Sequence, residues 1–507
     1  MSQNEIIFHR VGFSYPDSAA VLLEGLDCHF SRGWNGIVGA NGAGKTTLIR
    51  LALGTLQPLE GRVRTAGEAV YCPQRTDEAP AGLDVLLEDI DGEACRLRGR
   101  LGVGDDWLGR WDTLSHGERK RAQIAVALWR RPAVLAVDEP TNHLDAPARR
   151  MLEGALASYP GVGLLVSHDR ELLDRLCRQC LFIETPRAVL RPGGFSSGAA
   201  EQENEEEAAR REFEEASRQR QRLEREAVRR REVAARQQKR RSKRGLGKDN
   251  DARFKCNLAR MSGKDGNAGR QLRQLDGRLE LARQRQSEAR FRARPELGIW
   301  LQSGQPRREW LFRLAPGVRE LGGGRRLSHE ALAMRPRERV ALTGANGSGK
   351  STLLRGIVAA ADSENGRLLY VPQEIAADEG VDLLRRIRAL DKGRLGRVMT
   401  AVSCLGSSPE RLLASGNPSP GETRKLLLAL GIMREPHLVV LDEPTNHLDL
   451  PSIECLEEAL DGCPCGLLLV SHDARFLQRL CRTRWQLEPE GADTVLREGP
   501  MPDQSGG

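Results

Sequence analysis

The chain is 507 residues long with 29% charged residues and a formal net charge of +8, which predicts two or three domains, each able to bury its own core. A mean hydropathy of -0.47, with no run near the roughly 18 apolar residues a membrane-spanning helix needs, predicts a protein that does not enter a bilayer. The opening MSQNEIIFHR lacks the basic-then-apolar pattern of a secretory leader, so a cytoplasmic location is expected.

In chain order, GIVGA, VLAVDE and VGLLVSHD are short runs rich in Val and Leu, and they predict buried strands of a largely parallel sheet. Each ends where a motif begins, at the strand ends where open α/β sheets place ligands. Gly39 to Thr46 spells G-x-x-x-x-G-K-T between the first of these strands and the helical TTLIRLAL. Such a loop (Gly39, Asn41, Gly42, Gly44, Lys45, Thr46 and Thr47) curls backbone N–H groups and a helix N-terminus around phosphates. Lys45 is expected at the β- and γ-phosphates and the Thr46 hydroxyl on Mg²⁺. VLAVDE closes on Asp138, a carboxylate placed to hold Mg²⁺ through water, and on Glu139, a general-base candidate for the attacking water. The eleven cysteines are scattered through apolar segments and read as free thiols. The C-x-x-C of Cys177 and Cys180 and the C-x-C of Cys463 and Cys465 lack a second ligand pair at zinc-finger spacing.

The same module then returns. GANGAGKTT recurs as GANGSGKST and DEPTNHLD recurs unchanged, with Lys45 and Lys350 offset by 305 residues and Asp138 and Asp442 by 304. The second copy supplies Gly344, Asn346, Gly347, Gly349, Lys350, Ser351 and Thr352 as its phosphate loop, with Asp442 and Glu443 as its acid pair. Ser351 and Asp442 are the second set of Mg²⁺ candidates.

Between the copies lies a segment of different composition. EQENEEEAARREFEEASRQRQRLEREAVRRREVAARQQKRR is dense in Glu, Arg, Gln and Ala and free of Pro and Gly, which predicts one long solvated helix. GLGKDNDARFKCNLARMSGKDGNAG predicts a turn, and RQLRQLDGRLELARQRQSEARFR a second helix returning antiparallel. Residues 201–300 carry 28 Lys and Arg against 18 Asp and Glu, so the whole basic excess sits here. It concentrates near the tip, where residues 229–260 hold 13 basic and 3 acidic side chains. A projecting basic hairpin is an electrostatic footprint for phosphate backbones, although a solubilising helix face has the same composition. The expected division is 1–196 for a first α/β domain, 197–303 for the helical hairpin linker and 304–507 for a second α/β domain.

These motifs resemble the ATP-binding cassette superfamily, and two cassettes in tandem around a helical linker resemble its ABC-F branch. The resemblance covers nearly all of the chain except the linker, and it implies particular roles. Gln74 in YCPQ and Gln373 in YVPQ match the glutamine loop that contacts Mg²⁺ and senses the γ-phosphate. Ser115, Gly117 and Glu118 in LSHGERK match the signature that faces ATP, and Ser419, Gly421 and Glu422 in PSPGETRK match its second copy. His168 and His472 match the switch histidine, Asp145 and Asp449 the loop coupling the two sites, and Tyr15 the aromatic that stacks on adenine. The sequence departs from the pattern at His116, Pro418 and Pro420, and no aromatic stands at the second position matching Tyr15. The prolines imply a slower site at Lys45, the site that Ser419 would complete. Only 41 positions separate Gln74 from Ser115, which leaves no room for the extra arm of some ABC-F members.

In this family each ATP is covered by the signature of the opposite cassette, so a monomer holds both halves of each site. ABC-F linkers of this shape enter the ribosome, which makes rRNA, and with it tRNA, the expected partner of residues 229–260. Two other readings stay open at this point: an ATP-driven DNA-repair protein and the motor of a membrane transporter.

Overall fold

The computed structural model describes residues 5–16, 21–65, 67–142, 144–241, 265–288, 309–363, 367–491 and 493–502. They fall into two compact units, one made of Met1–Gly198 with Pro295–Gly507 and the other of Ala199–Arg294.

In the first cassette, β1 (Ile6–Phe13), β2 (Leu23–Phe30) and β4 (Glu60–Thr65) form an antiparallel sheet in the order β2-β1-β4. A six-stranded sheet holds the nucleotide motifs. It is built from β3 (Gly33–Gly39), β5 (Ala69–Cys72), β6 (Val134–Asp138), β7 (Val162–Val166), β8 (Cys177–Glu184) and β9 (Arg187–Pro192), ordered β5-β6-β7-β3-β8-β9. Every residue of β6 and β7 is buried, so these strands read as continuous apolar runs and not as alternating ones. The phosphate loop leaves β3, which pairs in parallel with β7 and β8, and runs into α1 (Lys45–Ala52). Helices α2 (Leu83–Glu88), α3 (Gly92–Leu101), α4 (His116–Trp129), α5 (Ala146–Ala157) and α6 (Arg170–Leu176) complete the cassette.

The second cassette repeats the plan with its antiparallel strands joined to the main sheet. The strands are β10 (Phe312–Leu314), β11 (Gly317–Gly322), β12 (Arg325–His329), β13 (Leu332–Met334), β14 (Arg339–Gly344), β15 (Leu368–Val371), β16 (Leu438–Asp442), β17 (Gly466–Val470), β18 (Thr483–Glu490) and β19 (Asp493–Pro500). Eight of them run β11-β12-β19-β18-β14-β17-β16-β15, and the β12–β19 pairing at Leu327–Thr494 makes the join.

The linker unit holds most of α7 (Phe195–Arg241) and α8 (Asp265–Glu288). Arg283 meets Glu224 at 3.6 Å and Arg231 meets Asp276 at 2.7 Å, so position rises on one helix as it falls on the other and the pair is antiparallel. Leu223, Ala227, Leu275, Leu279 and Ala282 form the small apolar seam between them. The sequence places Gly266 to Gly269 in a turn, but α8 already starts at Asp265. A helix tolerates such residues in its first turn, because its first N–H groups make no intrahelical bond. Of the basic run 229–260, residues 242–260 lie outside the described residues.

After α8 the second cassette adds α9 (Lys350–Ser363), α10 (Ala377–Arg388), α11 (Lys392–Cys404), α12 (Pro409–Ala414), α13 (Pro420–Ile432), α14 (Leu450–Asp461) and α15 (Ala474–Leu480). The two cassettes belong to one compact unit and touch through their motif-bearing edges, which is what assembles the site.

Candidate functional site

The two phosphate loops have the same geometry. Lys45 Nζ donates to the Gly39 and Ala40 carbonyls at 2.8 and 3.1 Å, and Lys350 Nζ to those of Gly344 and Ala345 at the same two distances. Gly44 and Gly349 sit at φ 100° and 97°, a backbone that side chains rarely adopt. A Cβ there would lie 2.8 Å from Leu22 or 2.6 Å from Leu321, so glycine is needed twice over. Around these loops stand Asn41, Gly42, Thr47, Asn346, Gly347 and Thr352, as the repeated motif requires.

The acid strands deliver their carboxylates to the same place. Thr46 Oγ1 donates to Asp138 Oδ2 at 3.2 Å, and Ser351 bonds Asp442 in the second copy. A hydroxyl beside a carboxylate is an oxygen donor set suited to a hard divalent cation such as Mg²⁺. Gln74 is exposed just beyond β5 and Gln373 is half-buried beyond β15. Glu139 and Glu443 have φ of 46° and 48°, a left-handed backbone for a non-glycine residue, and such strain concentrates at functional sites. Each is pinned by its own N–H, which donates at 2.8 Å to Val166 or Val470 of the neighbouring strand. Oε1 of both glutamates is buried with no hydrogen-bond partner among the described residues. His168 Nε2 and His472 Nε2 stand 3.3 and 3.5 Å from those same oxygens.

The cassettes meet motif to motif. Asp449 Oδ2 accepts the Asn41 N–H at 2.6 Å, and Asp145 Oδ2 accepts the Asn346 N–H at 3.3 Å, so each of these aspartates binds the phosphate loop of the other cassette. A cavity of about 860 Å³ is lined by Ser115, Gly117 and Glu118 from one side and by Lys350, Ser351 and Glu443 from the other. The first signature thus faces the second phosphate loop.

Both signature helices open with a capping box. Ser115 accepts from the Glu118 N–H while Glu118 accepts from the Ser115 N–H at 2.8 Å, and Ser419 with Glu422 does the same at 2.8 Å. The two glutamates therefore hold the helix starts. Pro420 takes the first helical position beside Gly421, where its missing N–H costs nothing, so the departure noted in the sequence leaves the start of α13 built like that of α4. Tyr15 packs edge-on against Phe13 with ring centroids 5.1 Å apart, and its hydroxyl bonds Thr47 Oγ1 at 2.9 Å, beside the first phosphate loop.

The ABC transporter family profile matches twice, over residues 23–142 and 327–446. The tylosin resistance ATP-binding protein TlrC of Streptomyces fradiae is 31% identical over 98% of this chain and 98% of its own length. The chain belongs to the ABC-F branch of the ATP-binding cassette family. The ribosome protection protein VmlR of Bacillus subtilis is 28% identical over 92% of this chain and 83% of its own. Among solved structures, an RNase-L inhibitor superposes with a TM-score of 0.63 at 21% identity, covering 98% of this chain and 90% of that one, which shows a shared fold. No helix among the described residues is long and apolar enough to cross a membrane.

Within these ABC-F cassettes the electrostatics follow from burial. Burial pushes Glu139 up to about 8, with Asp138 beside it adding to the shift and Lys45 opposing it. Glu443 rises to about 7 for the same first reason, opposed by Lys350. Burial, with the nearby lysine ammonium, lowers His168 to about 3 and His472 to about 4, so both imidazoles are neutral near pH 7. Burial also lowers Lys45 and Lys350, though the facing carboxylates resist this.

Sequence reasoning passed over several residues that serve the site. Tyr71 donates to Asp138 Oδ2 at 3.0 Å, and its repetition as Tyr370, one residue pair ahead of each glutamine loop, was a usable signal. Lys120, fully buried in α4, donates to the Pro73 and Asp138 carbonyls at 2.6 and 3.0 Å and ties the glutamine loop to the acid strand. Arg424 stands in its place in α13 and reaches Gln373 O at 2.6 Å and Asn446 O at 2.5 Å. Arg149 crosses the interface to the His472 carbonyl at 3.1 Å, a contact without any local signal.

Proposed function

We propose that the chain hydrolyses ATP at two composite sites and couples that cycle to the ribosome, as a translation factor or as one that protects ribosomes from antibiotics. The observation that carries the chemistry is the pair of strained, buried glutamates beside the phosphate loops, each with one oxygen that accepts no hydrogen bond among the described residues and faces a histidine Nε2. Lys45 and Lys350 would bind the β- and γ-phosphates, and Glu139 and Glu443 would take a proton from the attacking water. His168 and His472, held neutral, would orient the γ-phosphate by hydrogen bonding. Mg²⁺, held by Thr46 and Asp138 or by Ser351 and Asp442 with the glutamine side chains of Gln74 and Gln373 joining, would neutralise developing phosphate charge. Ser115 and Gly117 would cover the nucleotide at Lys350, and Ser419 and Gly421 the one at Lys45. Asp145 and Asp449 bind the phosphate loop opposite, so loading one site would bias closure of the other.

The ribosomal part rests on the 13 to 3 excess of basic side chains in residues 229–260 and on relatives named for ribosome protection and tylosin resistance. The division at 1–196, 197–303 and 304–507 is part of the same reading, with one chain sufficing for both sites. A double variant, Glu139→Gln with Glu443→Gln, tests it. ATP binding is expected to persist while hydrolysis falls by about 100-fold or more, the order lost with a positioned base. Held closed on ATP, the variant is expected to accumulate in the ribosomal pellet on co-sedimentation and to inhibit translation. Near-normal turnover would remove the base assignment. An ATP-independent and unchanged pellet fraction would remove the ribosome.

A further inference from the structure

The two cassettes differ where the base of a nucleotide would rest. In the first, the chain leaving β1 carries Tyr15 to the start of α1. In the second, the β11–β12 hairpin turns through Gly322, Gly323 and Gly324, all at positive φ, with Gly322 paired directly to Arg325. Among the described residues, that turn leaves no segment to present an aromatic ring. The hairpin tip itself covers the phosphate loop, because a Cβ at Gly349 would meet Leu321 at 2.6 Å and one at Gly347 would lie 3.8 Å from Arg325 Nη1. Leu321 and Arg325 line the same cavity as Lys350 and Ser351. Arg325 is exposed, whereas its neighbour Arg326 is drawn away to Asp493 at 3.2 Å.

An exposed guanidinium beside a nucleotide site has two uses, to bind phosphate or to stack on the base. Phosphate already has the loop N–H groups and Lys350, while a base would otherwise find no planar surface on this hairpin. We propose that Arg325 is the base platform of the Lys350 site and that the site takes nucleoside triphosphates through it without selecting the base. Stacking on a guanidinium uses the face of the base and not its edges, so ATP and GTP are held alike. The proposal rests on the reading of the Lys350 loop as a nucleotide site.

The test is calorimetry on the full chain carrying Lys45→Ala and Glu443→Gln, which confines binding to the second site and stops turnover. The titrants are ATP, GTP and inorganic tripolyphosphate. Adding Arg325→Ala is expected to weaken ATP and GTP by about 10-fold and to leave tripolyphosphate unchanged, the scale of one lost base-stacking contact. Arg325→Tyr is expected to restore both nucleotides, and Arg325→Lys to restore neither. Equal loss for tripolyphosphate, rescue by lysine alone, or no loss of ATP would overturn the platform. Lys350→Ala serves as the reference. If it too leaves ATP binding unchanged, the nucleotide-site reading has failed and not the assignment of Arg325.

Discussion

Two glutamates with φ near +47° would be an unexplained cost in a structural role, since a non-glycine residue pays on the order of 1 kcal/mol or more to sit there. The strain aims a buried carboxylate at the end of a strand whose neighbours are apolar. Because burial raises Glu139 to about 8 and Glu443 to about 7, each is partly protonated near neutrality, and only the ionised form can accept a proton. A raised carboxylate pKa therefore makes turnover climb as pH rises through that value. Measured between roughly pH 6 and 9, the turnover left in Glu139→Gln and in Glu443→Gln is expected to climb with pH in both. A flat profile in either would detach the pH dependence from these carboxylates. The same pair tests the prolines of the second signature. Glu139→Gln is expected to cost less turnover than Glu443→Gln if the Lys45 site is the slower one, and equal losses would mean that the shared capping-box geometry of α4 and α13 is what counts.

Helices α6, α14 and α15 carry the ionic side of the cassette contact. Arg170 opens α6 and bonds Glu457 of α14 through both terminal guanidinium nitrogens, one at 3.2 Å, and approaches Asp473 at 3.4 Å, while Arg479 reaches Glu457 from α15 at 3.0 Å. Glu457 is only 2% exposed, so these side chains, and not water, satisfy its carboxylate oxygens. Removing one partner of a buried pair costs more than replacing the pair, because the survivor stays desolvated. Arg170→Met is expected to destabilise the protein by about 3 kcal/mol, and Arg170→Met with Glu457→Leu to recover most of that loss in thermal unfolding. A neutral Arg170→Met would show that Arg479 alone satisfies Glu457. Nearby, Arg475 of α15 binds Asp174 of the first cassette at 2.8 Å and the Ser196 hydroxyl at 2.8 Å, and Asp174 also accepts the Ser196 N–H at 2.7 Å. Ser196 lies in the first turn of α7, so the second cassette holds the start of that helix by the same bonds that hold the first cassette.

At the scale of the whole molecule, the basic excess is confined to the linker, while the rest of the chain is close to neutral. Replacing Arg240, Arg241, Lys243, Arg244 and Lys248 with Gln removes five charges from the basic run and none from the nucleotide motifs. In the doubly Gln-substituted background, ribosome affinity is expected to fall and its dependence on salt, from roughly 50 to 300 mM, to flatten, since fewer counterions are released. ATPase activity without ribosomes is expected to stay near that of the parent when measured with Glu139 and Glu443 intact. Parallel salt curves of equal affinity would leave the charges as solvated helix faces.

What the sequence determined by itself was local. The phosphate loops, the DEPTNHLD segments and the VSHD ends were legible because each is a contiguous run whose chemistry follows from residues a few positions apart, and because each occurs twice. The long linker helix was legible from its Pro- and Gly-free composition, whereas the early start of α8 at Asp265 was not, since Gly and Asn signal a turn and are equally tolerated where a helix begins. The tertiary structure decided what lies between segments far apart in the chain. Asn41 meets Asp449 across 408 positions, Arg149 meets His472 across 323, and Arg170 meets Glu457 across 287, pairs that no periodicity encodes. It also decided that a hairpin of three glycines lays Arg325 over a phosphate loop, a placement set by strand register and turn length. Local propensity and motif spacing act along the chain, but a composite site forms only when two separately folded surfaces close on each other.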